Sequence, residues 1–133
     1  MDTTETYIKM CEKADAEIQG RVPQEGDYFS LCTNIKCTTY RKESHKKDTG
    51  VILICGHYEA NIHHGDIWLP RQDQLQEIAK DMAVSERKLA VYFGRWCEDW
   101  GDFQFSLEKL WLAFVMKEKY NKIWNGEGWV VES

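Results

Sequence analysis

The chain has no excess of positive charge, no long apolar run and no motif that announces catalysis, and each absence narrows what it can be. Its 133 residues carry 22 Asp and Glu against 17 Lys and Arg. An acidic balance disfavours a general nucleic-acid binder, which is normally basic overall or presents a large basic face. No apolar run approaches the roughly 20 residues needed to span a bilayer. The opening Met1-Asp2-Thr3-Thr4-Glu5-Thr6 is polar and acidic, so it does not read as a secretory signal, and a cytoplasmic location is expected. There is no nucleophile elbow, no phosphate-binding glycine loop, no His-Glu-x-x-His and no dinucleotide fingerprint. Internal repeats and low-complexity tracts are missing too.

Cysteines are present, but not in a pattern that suggests disulfides. Cys11, Cys32, Cys37, Cys55 and Cys97 are odd in number and widely spread, so reduced thiols are the expectation. An apolar share of 43% with six tryptophans argues for a folded globule. The length suits one domain with a proper core and is too short for two.

Helix signals dominate. Tyr7, Cys11, Ala14 and Ile18 fall on one face of a helix over 4–19, with Gly20 placed to end it. Pro70 fits the first turn of a helix, where its missing N–H costs nothing. Leu75, Ile78, Ala79 and Met82 continue that face, predicting a helix over 70–83. Ser85 is a good N-cap for a helix over 86–99, striped with Leu89, Tyr92, Phe93, Trp96, Cys97 and Trp100. Ser106 opens a last helix over 106–124 that buries Leu107, Leu110, Trp111, Phe114 and Val115 and stops at Asn125-Gly126. Lys117, Lys119 and Lys122 lie near the negative pole of its dipole.

Strand signals are fewer. Asp27 to Cys32 has the aromatic content of a strand. Val51-Ile52-Leu53-Ile54-Cys55 is a continuous β-branched run and suggests a central strand covered on both faces. Trp129-Val130-Val131 reads as a short edge strand. The expected fold is therefore α+β: about three strands, near 27–32, 51–56 and 128–132, covered by about four helices.

Several residue groups can carry function. Cys32, Cys37, Cys55 and His57, with His63 and His64 nearby, offer the thiolates and imidazoles that a structural zinc site needs. Their spacing is looser than in regular zinc modules, and burial of Cys32 and Cys55 as small apolar side chains is the simpler reading. Residues 36–47 gather Lys36, Arg41, Lys42, Lys46 and Lys47 around Tyr40 and His45, a mix suited to phosphates and base stacking. A solvated loop is the simpler reading there. Glu98, Asp99 and Asp102 cluster around Trp96 and Trp100, and close carboxylates can hold a cation or exchange protons. Cys55 and His57 lack the third, orienting group of a catalytic pair. Trp124 and Trp129 lie near element ends, where half-exposed indoles serve as interface anchors, and closing the core of a small domain with large side chains explains them equally well.

The runs Trp68-Leu69-Pro70-Arg71-Gln72-Asp73-Gln74-Leu75-Gln76-Glu77, Ser106-Leu107-Glu108-Lys109-Leu110-Trp111-Leu112-Ala113-Phe114-Val115-Met116 and Trp124-Asn125-Gly126-Glu127-Gly128-Trp129 resemble a family of small uncharacterised proteins encoded in bacteriophage and prophage genomes. The resemblance covers residues 66–131. It implies a small accessory protein in a bacterial cytoplasm and transfers no functional residue, since the family has no established activity.

The sequence thus predicts a non-enzymatic module with no required cofactor that docks on a host or phage protein through Trp124 and Trp129. A homodimer through the edge strand is also expected to be accessible. The second reading is a zinc-stabilised module that touches nucleic acid through residues 36–47.

Overall fold

The computed structural model describes residues 1–20, 22, 24–31, 51–53, 66–82, 85–100 and 105–131. Helix α1 (Glu5–Glu12) starts at Thr4, whose hydroxyl accepts from the Tyr7 N–H, and buries Tyr7, Met10 and Cys11. The single helix expected over 4–19 is two. Asp15 caps a separate short α2 (Ala16–Gln19) by accepting from the Glu17 N–H. A side chain that bonds its own backbone neighbour two residues on competes with helix continuation, so the chain turns there.

Strands β1 (Tyr28–Ser30), β2 (Val51–Leu53) and β3 (Ile67–Leu69) form one antiparallel sheet in the order β2-β1-β3. This corrects two expectations. The third strand of the sheet is 67–69, not 128–132. Val51–Leu53 pairs with β1 alone among the described residues, and Leu53 is 45% exposed, so an apolar run read as central lies at an edge. The outer edge of β3 is covered by a side chain. The Gln19 amide accepts from the Trp68 N–H and donates to the Trp68 carbonyl, both at 2.9 Å. Gln19 thereby stands in for a neighbouring strand and blunts that edge.

Helix α3 (Gln72–Ala79) begins two residues after Pro70, with Arg71 at the N-cap position. Gln74 explains the offset, because its Oε1 accepts from the Arg71 N–H at 2.9 Å. The Gln74 amide also donates to buried Asp27 at 2.7 Å, and Asp27 accepts from the Gln24 N–H at 2.9 Å. Arg71 reaches back to the Gly26 carbonyl. One polar network therefore ties the turn before β1 to the start of α3. Gly26, at φ 90°, sits where L side chains strain. A 3-10 turn (Lys80–Met82) extends α3.

Helix α4 (Glu86–Trp100) follows Ser85, whose hydroxyl accepts from the Lys88 N–H at 3.2 Å. Helix α5 (Leu107–Tyr120) is capped by Ser106 and ends four residues short of the expected 124. Asn121 takes the left-handed conformation, φ 55°, and donates its N–H back to the last turn. That geometry terminates helices. Beyond it, β4 (Lys122–Trp124) and β5 (Trp129–Val131) pair as a separate hairpin.

Helix α5 is the axis of the core. Six successive residues, Trp111 to Met116, are buried, whereas an amphipathic surface helix would bury one stripe. Helices α1, α3 and α4 and strand β4 all touch it. Phe93 of α4 stacks on Trp111 at 3.8 Å, and Phe114 meets both rings edge-on. Two residues assigned to buried faces are exposed instead: Leu107, in the first turn of α5, and Tyr92 of α4.

Tyr7 joins α1 to the β3–α3 junction by donating its hydroxyl to the Pro70 carbonyl at 2.6 Å. Both residues are buried. Tyr7→Phe leaves that carbonyl without the donor and is expected to cost about 1–3 kcal/mol, read from chemical denaturation.

Asp2 anchors the start of α5. Burial works to raise its pKa, but hydrogen bonds from Ser106 and Thr4, with the Lys109 ammonium 3.7 Å away, together hold it below the usual carboxylate value. A depressed folded pKa stabilises above the unfolded value and is lost as pH falls through the folded one. The melting-temperature advantage of the native chain over Asp2→Asn is expected to shrink below about pH 4.

Candidate functional site

Two places outside the core gather distinctive side chains. The first is the β4–β5 hairpin. Its turn is built by Asn125, whose Oδ1 accepts from the N–H groups of Glu127 and Gly128, both at 2.9 Å. Gly126 supplies the positive φ of 100°. Asn125-Gly126 therefore makes a hairpin turn rather than a helix stop, as this dipeptide commonly does.

Trp124 and Trp129 stand directly opposite each other on the two strands. Their ring centroids are 5.1 Å apart at 61°, and both pack against the core. The Trp129 indole N–H donates to the Met10 carbonyl at 2.9 Å. Met10 lies in the last turn of α1, where carbonyls lack intrahelical partners. The indole thus caps α1 from a distance and fixes the hairpin against it. Beside this clasp, Val130 and Val131 of β5 are 40% and 66% exposed. As consecutive strand residues they point to opposite faces, so each face of β5 carries one exposed valine, and β5 pairs with β4 alone among the described residues.

The second place is a cavity of about 400 Å³ between α4, α5 and the 3-10 turn. Tyr92, Arg95, Trp96 and Asp99 line it from α4, Phe114 and Glu118 from α5, and Met82 from the 3-10 turn. The spacing i, i+3, i+4, i+7 puts the four α4 residues on one stripe. Trp96 and Phe114 meet edge to face at 5.8 Å. Of the acidic cluster noted in the sequence, the structure brings Asp99 to this cavity and leaves Glu98 exposed. Asp102 and the Trp100 side chain lie outside the described residues. Glu118 and Arg95 carry no motif of their own; the available signal was their helical spacing from Phe114 and from Asp99.

A third depression, lined partly by Glu17, Trp68, Lys119 and Tyr120, is already spanned by paired charges. Lys119 lies 3.8 Å from Glu17, and the Tyr120 hydroxyl donates to Glu17 at 3.1 Å. Partial burial and that carboxylate push the Tyr120 hydroxyl up to about 12, so it keeps its proton at neutral pH.

The candidate zinc ligands Cys32, Cys37, Cys55 and His57, with His63 and His64, lie outside the described residues, as does the basic segment 36–47. Among the described residues no group of three or more His, Cys, Asp or Glu is placed to hold a metal. The described thiols are Cys11, buried, and Cys97, half-buried. Burial raises the pKa of both, which disfavours the thiolate a nucleophile needs. No helix among the described residues is long and apolar enough to cross a membrane.

Trp129→Phe keeps the ring but removes the indole donor. It is expected to cost about 0.5–1.5 kcal/mol and to raise amide hydrogen exchange across 122–131, as the hairpin loses its hold on α1.

Comparison of the chain with protein-family models, curated proteins and solved structures finds no match to any of them.

Proposed function

We propose that the protein is a non-enzymatic protein-binding module that docks through the β4–β5 hairpin. The observation that carries this reading is a fixed edge strand with an exposed valine on each of its faces. Trp129 is tied to α1 by its indole, while Val130 and Val131 on the same strand stay exposed. A rigid, apolar, edge-lying strand is a template for strand addition. Because its position is held by the Met10 contact, little ordering entropy remains to oppose association. In this reading the two tryptophans position the surface and the valines meet the partner. The acidic net charge of −5 favours a partner with a basic rim around its apolar groove. The resemblance of residues 66–131 to phage and prophage proteins directs the search to host and phage proteins, and a second copy of this chain would use the same edge.

Val131→Lys tests the reading, since lysine is a natural blocker of strand pairing and the exposed site tolerates it within about 0.5 kcal/mol. Solution mass is measured across concentration, and binding partners are captured from bacterial lysate with native and variant baits. The expected result is a discrete partner, or a dimer, that the native chain retains and Val131→Lys loses with unchanged melting. Identical captures and a monomeric mass for both baits would count decisively against it.

A further inference from the structure

We propose that the cavity between α4 and α5 binds an alkylammonium group. The inference stands apart from the hairpin reading, because it uses different elements and no residue of β4 or β5. Three aromatic side chains, Tyr92, Trp96 and Phe114, share this cavity with two carboxylates, Asp99 and Glu118. Aromatic ring faces carry negative potential and attract cations, most strongly for desolvated ammonium groups, and this combination is the recognised way to hold them. Tyr92 is 44% exposed, although its position on the stripe with Trp96 suits a core residue.

Charge fixes the sign of the ligand. Among the described lining residues two carboxylates outweigh Arg95, which gives them a net negative charge. No ion pair or hydrogen bond joins Arg95 to Asp99 or Glu118 among the described residues, although all three line the cavity. Met82 adds a polarizable thioether, which suits the methyl or methylene groups around an ammonium nitrogen. A small anion would meet two carboxylates, and a neutral apolar ligand would leave them unused.

Two sources present this chemistry: a free quaternary ammonium and the side chain of a partner's lysine. Tetramethylammonium and lysine amide are therefore the two probes, titrated into the full chain while the Trp indole N–H resonances are followed by NMR. Sodium chloride at matched ionic strength is the control. The expected result is a saturable shift with one or both probes and none with the salt. Tighter binding of tetramethylammonium assigns the small-molecule source, and tighter binding of lysine amide assigns the protein one.

Substitutions at exposed positions give opposite signs. Asp99→Asn, Glu118→Gln and Tyr92→Leu are each expected to weaken binding at least threefold, whereas Arg95→Gln strengthens it by removing the competing charge. Melting curves check that each variant folds, and Val131→Lys leaves probe binding unchanged. A shift reproduced by sodium chloride, an affinity indifferent to Tyr92→Leu, or weaker binding in Arg95→Gln overturns the proposal.

Discussion

Burial of the middle of α5, Trp111 to Met116, on every side is the constraint on which the rest of the molecule depends. A helix with six successive residues out of water cannot lie on a surface, so other elements must surround it. Each fully buried apolar side chain among them contributes roughly 1.5–3 kcal/mol. Helix α3 covers α5 most extensively, α1 and α4 add further sides, and β4 closes the C-terminal end. The sheet joins this core through contacts of α1 with β3. The Tyr7 hydroxyl on the Pro70 carbonyl and the Gln19 amide on Trp68 make that second layer specific.

The polar groups of the interior serve the same arrangement. Asp27 is almost fully buried, yet its carboxylate is met by the Gln74 amide and the Gln24 N–H. Asp2 receives Ser106, Thr4 and Lys109 at the start of α5. Both carboxylates sit where a chain segment begins or turns, and both convert backbone entry points into fixed ones. Without such partners their burial would cost several kcal/mol. The surfaces left for function are those the frame does not consume: the valines of β5 and the aromatic and acidic stripe of α4.

Much of the helical architecture was legible because its signals are local. Ser85 and Ser106 were read as helix starts, and each accepts a backbone N–H of its first turn. The faces of α1 and α3 follow from spacing, and Tyr7, Cys11, Leu75 and Ala79 are buried as that spacing requires. Strand partners were not legible. Val51–Leu53 reads as central because it is apolar, but pairing order depends on which segments meet in space. The Trp129–Val131 strand was foreseen, whereas its partner Lys122–Trp124 was assigned to the preceding helix. Asn121 can end a helix or continue it, and in the fold it takes the left-handed turn that leads into the hairpin.

The candidate site divides in the same way. Trp124 and Trp129 were identified from their positions near element ends, but the bond from one indole to Met10 joins residues 119 apart in sequence, and no local pattern encodes it. Tyr92, Arg95, Trp96 and Asp99 lie on one helical stripe that the sequence states outright. That Phe114 and Glu118 face this stripe depends on how α4 lies against α5. By itself the sequence determined the class of the fold, the helix starts at Ser85 and Ser106 and the acidic, apolar-rich character of the chain, because these rest on interactions within a few residues. Tertiary structure alone decided strand order, the all-round burial of the middle of α5 and which aromatics meet which carboxylates. Those depend on contacts between distant segments, where many pairings satisfy the same local pattern and only one fills the core.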